Sequence, residues 1–142
     1  MTCKLLLLDI DGTLRPAGCS TIPAENVAAI KAVQKLGVKV AIATGRSRAG
    51  VTQQMLAGLR PDAWLCAGGA QLADAKTGEF SVHRLTPEEM YALVDFFEDH
   101  DLPLRFSFHD ANYAYIGYDE FKRVEKELKL DNHIVDGEDQ DQ

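Results

Sequence analysis

Leu5 to Leu8 run directly into Asp9, and a continuous apolar run bounded by polar turn residues is the pattern of a strand buried on both faces of a parallel sheet. From Pro23 to Leu36 the period changes. Val27, Ile30, Ala32, Val33 and Leu36 recur at helical spacing, Pro23 suits a first helical turn, and Gly37 suits the position just past the end. Val38 to Ala43 returns to a buried-strand pattern, which makes a strand-helix-strand unit of the right-handed crossover type. A second helix is expected over Ser47 to Leu59, ended by Arg60-Pro61-Asp62, and a third strand over Ala63 to Ala67. The order βαβαβ indicates an α/β fold, and Gln71 to Arg84 reads as a hairpin turning at Lys76-Thr77-Gly78.

The texture changes at Thr86. Thr86 as cap, Pro87 at the first position and Glu89 three residues after the cap start a helix that carries Leu93, Val94, Phe96 and Phe97. Leu104 to Phe108 and Tyr113 to Ile116 alternate across His109-Asp110-Ala111-Asn112, a hairpin signal. A last helix, Tyr118 to Leu130, places Phe121, Val124 and Leu128 on one face, and the tail Asp136 to Gln142 is polar and expected to fray. The expected division is residues 1–84 and residues 85–142.

Composition narrows the partners. With 46% hydrophobic residues and 26% charged, the chain is of the globular class. Its net charge of −7 disfavours nucleic acid and anionic membranes as partners. No apolar run is long enough for a membrane span, and the N-terminus lacks the pattern of a signal peptide. The three cysteines, Cys3, Cys19 and Cys66, form no CxxC pair, so a reduced, cytoplasmic protein without zinc is expected.

The stretch Asp9-Ile10-Asp11-Gly12-Thr13-Leu14 carries the chemistry. Two carboxylates stand at the carboxyl end of a parallel strand, where open α/β sheets place their ligands. A carboxylate there can be a metal ligand or a nucleophile, and its neighbour a proton donor and acceptor. Gly12 permits a turn or a close backbone approach. Thr44-Gly45-Arg46 ends the second strand at the same edge, where a hydroxyl and the amides of a helix start form an anion site. The plain structural alternative is a turn at DxDG and a helix cap at Thr44.

DIDGTL at residues 9–14, followed by a helix and VKVAIATGR at residues 38–46, resembles the haloacid dehalogenase (HAD) superfamily, in particular its Cof-type sugar-phosphatase branch. Ile22-Pro23, Leu36-Gly37 and LCAGGAQL at residues 65–72 are similar to that family as well, with Gly68-Gly69 where it often has Asn-Gly. The resemblance implies a partial Rossmann-like core with the beginning of an α+β cap domain from residue 85. It implies Asp9 as the nucleophile forming an aspartyl phosphate, Asp11 as general acid/base, and Gly12, Thr44, Gly45 and Arg46 as phosphate- or substrate-binding residues. It also implies Mg²⁺ held by the Asp9 carboxylate and the Asp11 backbone carbonyl, which would offset the acidic charge facing an anionic substrate. Cap residues His109, Asp110, Asn112 and Tyr113 are candidates for substrate choice or simply a hairpin turn on the cap surface.

Family members of this type carry, after the cap, a lysine and a GDxxND-like metal loop. Lys122, Lys126 and Lys129 instead read as a solvated helix face, and Gly137-Glu138-Asp139 with Asp141 only echoes such a loop. With three core strands the first becomes an edge strand with an apolar face, open to a second copy or a complementing chain. The expected function is a Mg²⁺-dependent hydrolase of small phosphorylated metabolites, this chain holding the nucleophile half of the site. The alternative is a catalytically incomplete phosphate- or partner-binding module.

Overall fold

A computed structural model describes residues 3–130 and 132–137. Five strands form the first sheet: β1 (Leu5–Leu8), β2 (Lys39–Ala43), β3 (Ala63–Cys66), β4 (Gln71–Asp74) and β5 (Phe80–Val82), ordered β1-β2-β3-β4-β5. β1, β2 and β3 are parallel, and β4 and β5 join antiparallel as the hairpin, so this α/β sheet is mixed. Strand alternation sets its buried face. In register, Leu8, Ile42, Trp64 and Ala73 form one row and Leu6 and Val40 another, packing with Val27 and Ile30 of the helix α1 (Ala24–Lys35).

Two expectations change here. β1 is the edge strand, as three core strands implied, but it is not buried on both faces: Leu5 and Leu7 are 58% and 51% exposed. Leu36, placed on the apolar side of α1, is exposed as well, because it is the cap residue beyond the last turn.

The helix expected over Ser47–Leu59 shrinks to one turn, α2 (Gln53–Leu56). Residues 47–50 close on themselves instead, the Gly50 N–H reaching the Ser47 carbonyl at 3.0 Å and its hydroxyl at 3.2 Å. Thr52 then starts α2 by accepting the Met55 N–H at 3.1 Å. Ala57 and Gly58, both at positive φ, stop it. Val51, Met55, Leu56 and Leu59 still reach the core, so the apolar spacing reports burial without a continuous helix.

The second sheet has the order β6 (Leu104–Ser107), β7 (Asn112–Ile116), β8 (Ile134–Asp136). β6 and β7 form the hairpin, and β8 joins β7 in parallel, so Asp136 belongs to a strand and not to a frayed tail. The helices α3 (Pro87–Asp99), which starts with the Thr86–Glu89 capping box, and α4 (Tyr118–Leu128) complete the unit. The expected inward face of α4 is corrected. Val124 and Leu128 are exposed, whereas Glu125 is buried, its carboxylate accepting from Lys122 Nζ at 3.1 Å and the Asn132 N–H at 2.6 Å. Glu138, Asp139 and Asp141, the faint acidic echo, lie outside the described residues.

Candidate active site

Past β1 the chain makes a tight loop around Ile10, which is fully buried. The Ile10 carbonyl accepts the N–H groups of Thr13 and Arg15, and the Gly12 N–H donates to the Arg15 carbonyl at 2.9 Å. Gly12 sits at φ +81°, a backbone conformation that a side chain would strain. With Ile10 pointing into the core, Asp9 and Asp11 at either side of it both line one cavity of about 320 Å³. Asp9 is exposed, and one of its carboxylate oxygens accepts the Ile10 N–H at 2.7 Å.

The carboxyl end of β2 supplies the facing wall. Thr44 is buried, its N–H held by the Leu65 carbonyl at 2.8 Å and its hydroxyl oxygen accepting the Arg46 N–H at 3.2 Å. The turn after β3 braces the same loop, since the Ala67 N–H donates to the Arg46 carbonyl at 2.7 Å. Thr44, Gly45 and Arg46 line the cavity with Asp9 and Asp11, while Gly12 lines an adjoining crevice that also reaches Asp11 and Arg46. No helix begins behind Thr44-Gly45-Arg46, so the expected anion site made of helix N-terminal amides is not formed there.

Two arginines converge on Asp11 instead. Arg46 grips Asp11 through two nitrogens, Nε to Oδ2 at 2.6 Å and a terminal nitrogen to Oδ1 at 3.2 Å. Its remaining nitrogen reaches the Gly50 carbonyl and the Asn132 side-chain oxygen. Arg15, buried beneath the loop, also donates to Asp11 Oδ1 and to the Cys19 carbonyl. Partial burial of Asp11 works to raise its pKa, but the hydrogen bonds and charges of Arg46 and Arg15 outweigh this and hold it below the ordinary 3.8. Asp11 is thus a carboxylate with both oxygens occupied.

The second sheet closes the cavity with Arg105, Ser107 and Asn112, joined by Leu130 and Asn132. Of the four hairpin residues singled out for substrate choice, only Asn112 lines it. His109 is almost fully exposed, and the Tyr113 hydroxyl is turned to Asp110 at 2.7 Å. Arg15, Arg105 and Asn132 had not been picked out. Arg15 has a sequence signal, four residues after Asp11 and across a glycine turn, whereas Arg105 and Asn132 arrive only through tertiary packing.

The oxygen donors available to a cation are the Asp9 carboxylate, with one oxygen free of hydrogen bonds, and the Asp11 carbonyl, to which no described residue donates. These are hard ligands suited to Mg²⁺, which commonly takes one or two protein carboxylates and fills its octahedron with water and substrate oxygens. Among the described residues no cluster of three or more His, Cys, Asp or Glu is placed to hold a metal. Cys66 is buried in β3, and burial pushes its thiol pKa up, so it is a core residue. No described helix is long and apolar enough to cross a membrane.

No curated protein matches the chain. Solved structures do. A sugar phosphatase of HAD subclass IIB is 25% identical at a TM-score of 0.78, with 96% of this chain and 54% of that one covered. A protein from Geobacillus kaustophilus is 26% identical at a TM-score of 0.75, with 95% and 52% covered. A haloacid dehalogenase-like hydrolase from B. subtilis is 25% identical at a TM-score of 0.72, with 86% and 42% covered. The chain therefore spans about half the length of the structures it matches. The family model for haloacid dehalogenase-like hydrolases matches residues 6–142, nearly the whole sequence, and the chain belongs to that family.

Proposed function

We propose that this chain carries the nucleophile half of a Mg²⁺-dependent phosphoric monoester hydrolase. The carrying observation is that Asp9, Asp11, Thr44 and Arg46 converge on one cavity at the carboxyl ends of β1 and β2. The exposed carboxylate of Asp9 attacks phosphorus, the ester P–O bond breaks, and an aspartyl phosphate forms. Asp11 gives its proton to the departing alkoxide and takes one from the water that then cleaves the aspartyl phosphate, releasing inorganic phosphate and restoring Asp9. For the first of these transfers Asp11 must be protonated, so Arg46 has to loosen its grip. Thr44, Gly12, Gly45 and Arg46 orient the phosphoryl oxygens. Mg²⁺, held by Asp9 and the Asp11 carbonyl, would supply positive charge for the transferring group. The substrate is a small phosphorylated metabolite, and the open edge of β1 takes a second copy or a complementing chain.

A second reading, a non-catalytic phosphate- or partner-binding module, is favoured by the double arginine grip on Asp11. Assay of p-nitrophenyl phosphate with and without Mg²⁺ decides between the two. Metal-dependent turnover that falls at least about a thousandfold in Asp9→Asn supports hydrolysis. Turnover undiminished in that variant refutes Asp9 as the nucleophile, and no turnover with or without Mg²⁺ leaves the binding module.

A further inference from the structure

The proposed phosphate contacts leave one charge in the cavity unused. Arg46 is engaged with Asp11, Gly50 and Asn132. The guanidinium of Arg105, on β6, has no hydrogen bond or ion pair among the described residues, and the Phe121 ring lies 5.6 Å from its central carbon. The polar groups beside it are bonded to one another: the Ser107 hydroxyl donates to Asn112 Oδ1 at 2.6 Å, the Asn112 amide donates to the Asn132 carbonyl, and Asn132 Oδ1 accepts from Arg46. Arg105 is an exposed residue whose guanidinium is partly desolvated, which disfavours its charge; Glu125 opposes this and nearby Arg46 adds to it. Arg105 lines the cavity with its guanidinium free of hydrogen bonds to the described residues, so it is open to an incoming anion.

Resting on the phosphatase reading of the same cavity, we infer that the preferred substrates are phosphomonoesters whose alcohol portion carries a second acidic oxygen group, a carboxylate or a phosphate, received by Arg105. The phosphoryl group sits at Asp9 and the rest of the molecule extends toward the second sheet, for which a cavity of about 320 Å³ leaves room. A planar guanidinium fork fits either anion, and the charge-assisted bond is worth more than one to a neutral hydroxyl. Arg105 is thus a specificity-determining residue contributed by the second unit.

The test uses two matched pairs: 3-phosphoglycerate against glycerol 3-phosphate, and fructose 1,6-bisphosphate against fructose 6-phosphate. Each is titrated calorimetrically into the 142-residue chain, and kcat/KM is compared where there is turnover. The acidic member of at least one pair binds about tenfold more tightly or better, and the pair with the larger ratio tells carboxylate from phosphate. Arg105→Ala brings that ratio within about twofold, and Arg105→Lys, which keeps a point charge without the fork, retains part of it. Equal binding within both pairs, no binding of either, or a ratio that survives Arg105→Ala overturns the inference. Failure of the phosphatase reading shows separately: the anion preference then persists with no turnover of p-nitrophenyl phosphate.

Discussion

Asp62 stands immediately before β3 and ties three elements together. One carboxylate oxygen accepts the Val40 N–H at 3.0 Å and the Gln34 amide at 3.1 Å, and the other accepts Lys39 Nζ at 2.9 Å. The Val40 amide first, then Lys39, holds its pKa down from 3.8 to about 2. At about 1.4 kcal/mol per pKa unit the upper bound is about 2.5 kcal/mol. The side chain is 31% exposed, and solvent screening reduces the contribution to about 1 kcal/mol. The sign follows from linkage. A folded-state pKa below the unfolded one stabilises fully above 3.8, and the effect is lost as pH falls toward 2, with about half left at pH 3. Asp62→Asn keeps the shape and one acceptor but removes the charge. Urea unfolding at pH 7, 5 and 3 should show the variant less stable by about 1 kcal/mol at the two higher values and by about half that at pH 3. A difference that stays constant to pH 3, or grows, refutes the electrostatic account. Lys39 and Val40 open β2, so the same experiment probes what anchors the strand that presents Thr44.

Two further outcomes follow from the site and the core. In Arg46→Ala the carboxyl of Asp11 loses the larger of its two arginine contributions, so its pKa rises; a ¹³C titration of the carboxyl carbon reads the change, and an unchanged or lower value contradicts the assignment of Arg46 as its main charge partner. Leu56→Ala empties a position that is 1% exposed and costs about 2 to 5 kcal/mol by denaturant unfolding, whereas a loss below about 1 kcal/mol means that the α2 turn is not seated in the core.

Much of the fold was legible because it is local. The Thr86-Pro87-Glu88-Glu89 start, the run into Asp9 and the strand ending at Thr44 each carry their signal within a few residues, and they suffice to place Asp9 and Asp11 near Thr44. The misreadings have physical causes. Leu5 and Leu7 are apolar enough for a doubly covered strand, but periodicity reports what a residue can tolerate and not which neighbours cover it. In the 47–59 segment a threonine cap and turn-forming glycines override apolar spacing that a helix would share. Glu125 was not among the residues read as facing inward on α4, yet its carboxylate anchors Asn132, the residue that brings the second sheet to Arg46. The arginine balance of the cavity was hidden for the same reason: Arg46 and Asn132 are 86 positions apart.

That contact makes Arg46 a shared clamp. One guanidinium spans the loop after β1 and the second sheet's side of the cavity, holding Asp11 and Asn132 at once. Were Asn132 drawn away, the guanidinium would have to follow it or stay with Asp11, and in the first case Asp11 Oδ2 loses its donor and the carboxyl pKa moves back up. The position of Asn132 and the proton affinity of Asp11, set far apart in the chain, are thereby one mechanical variable.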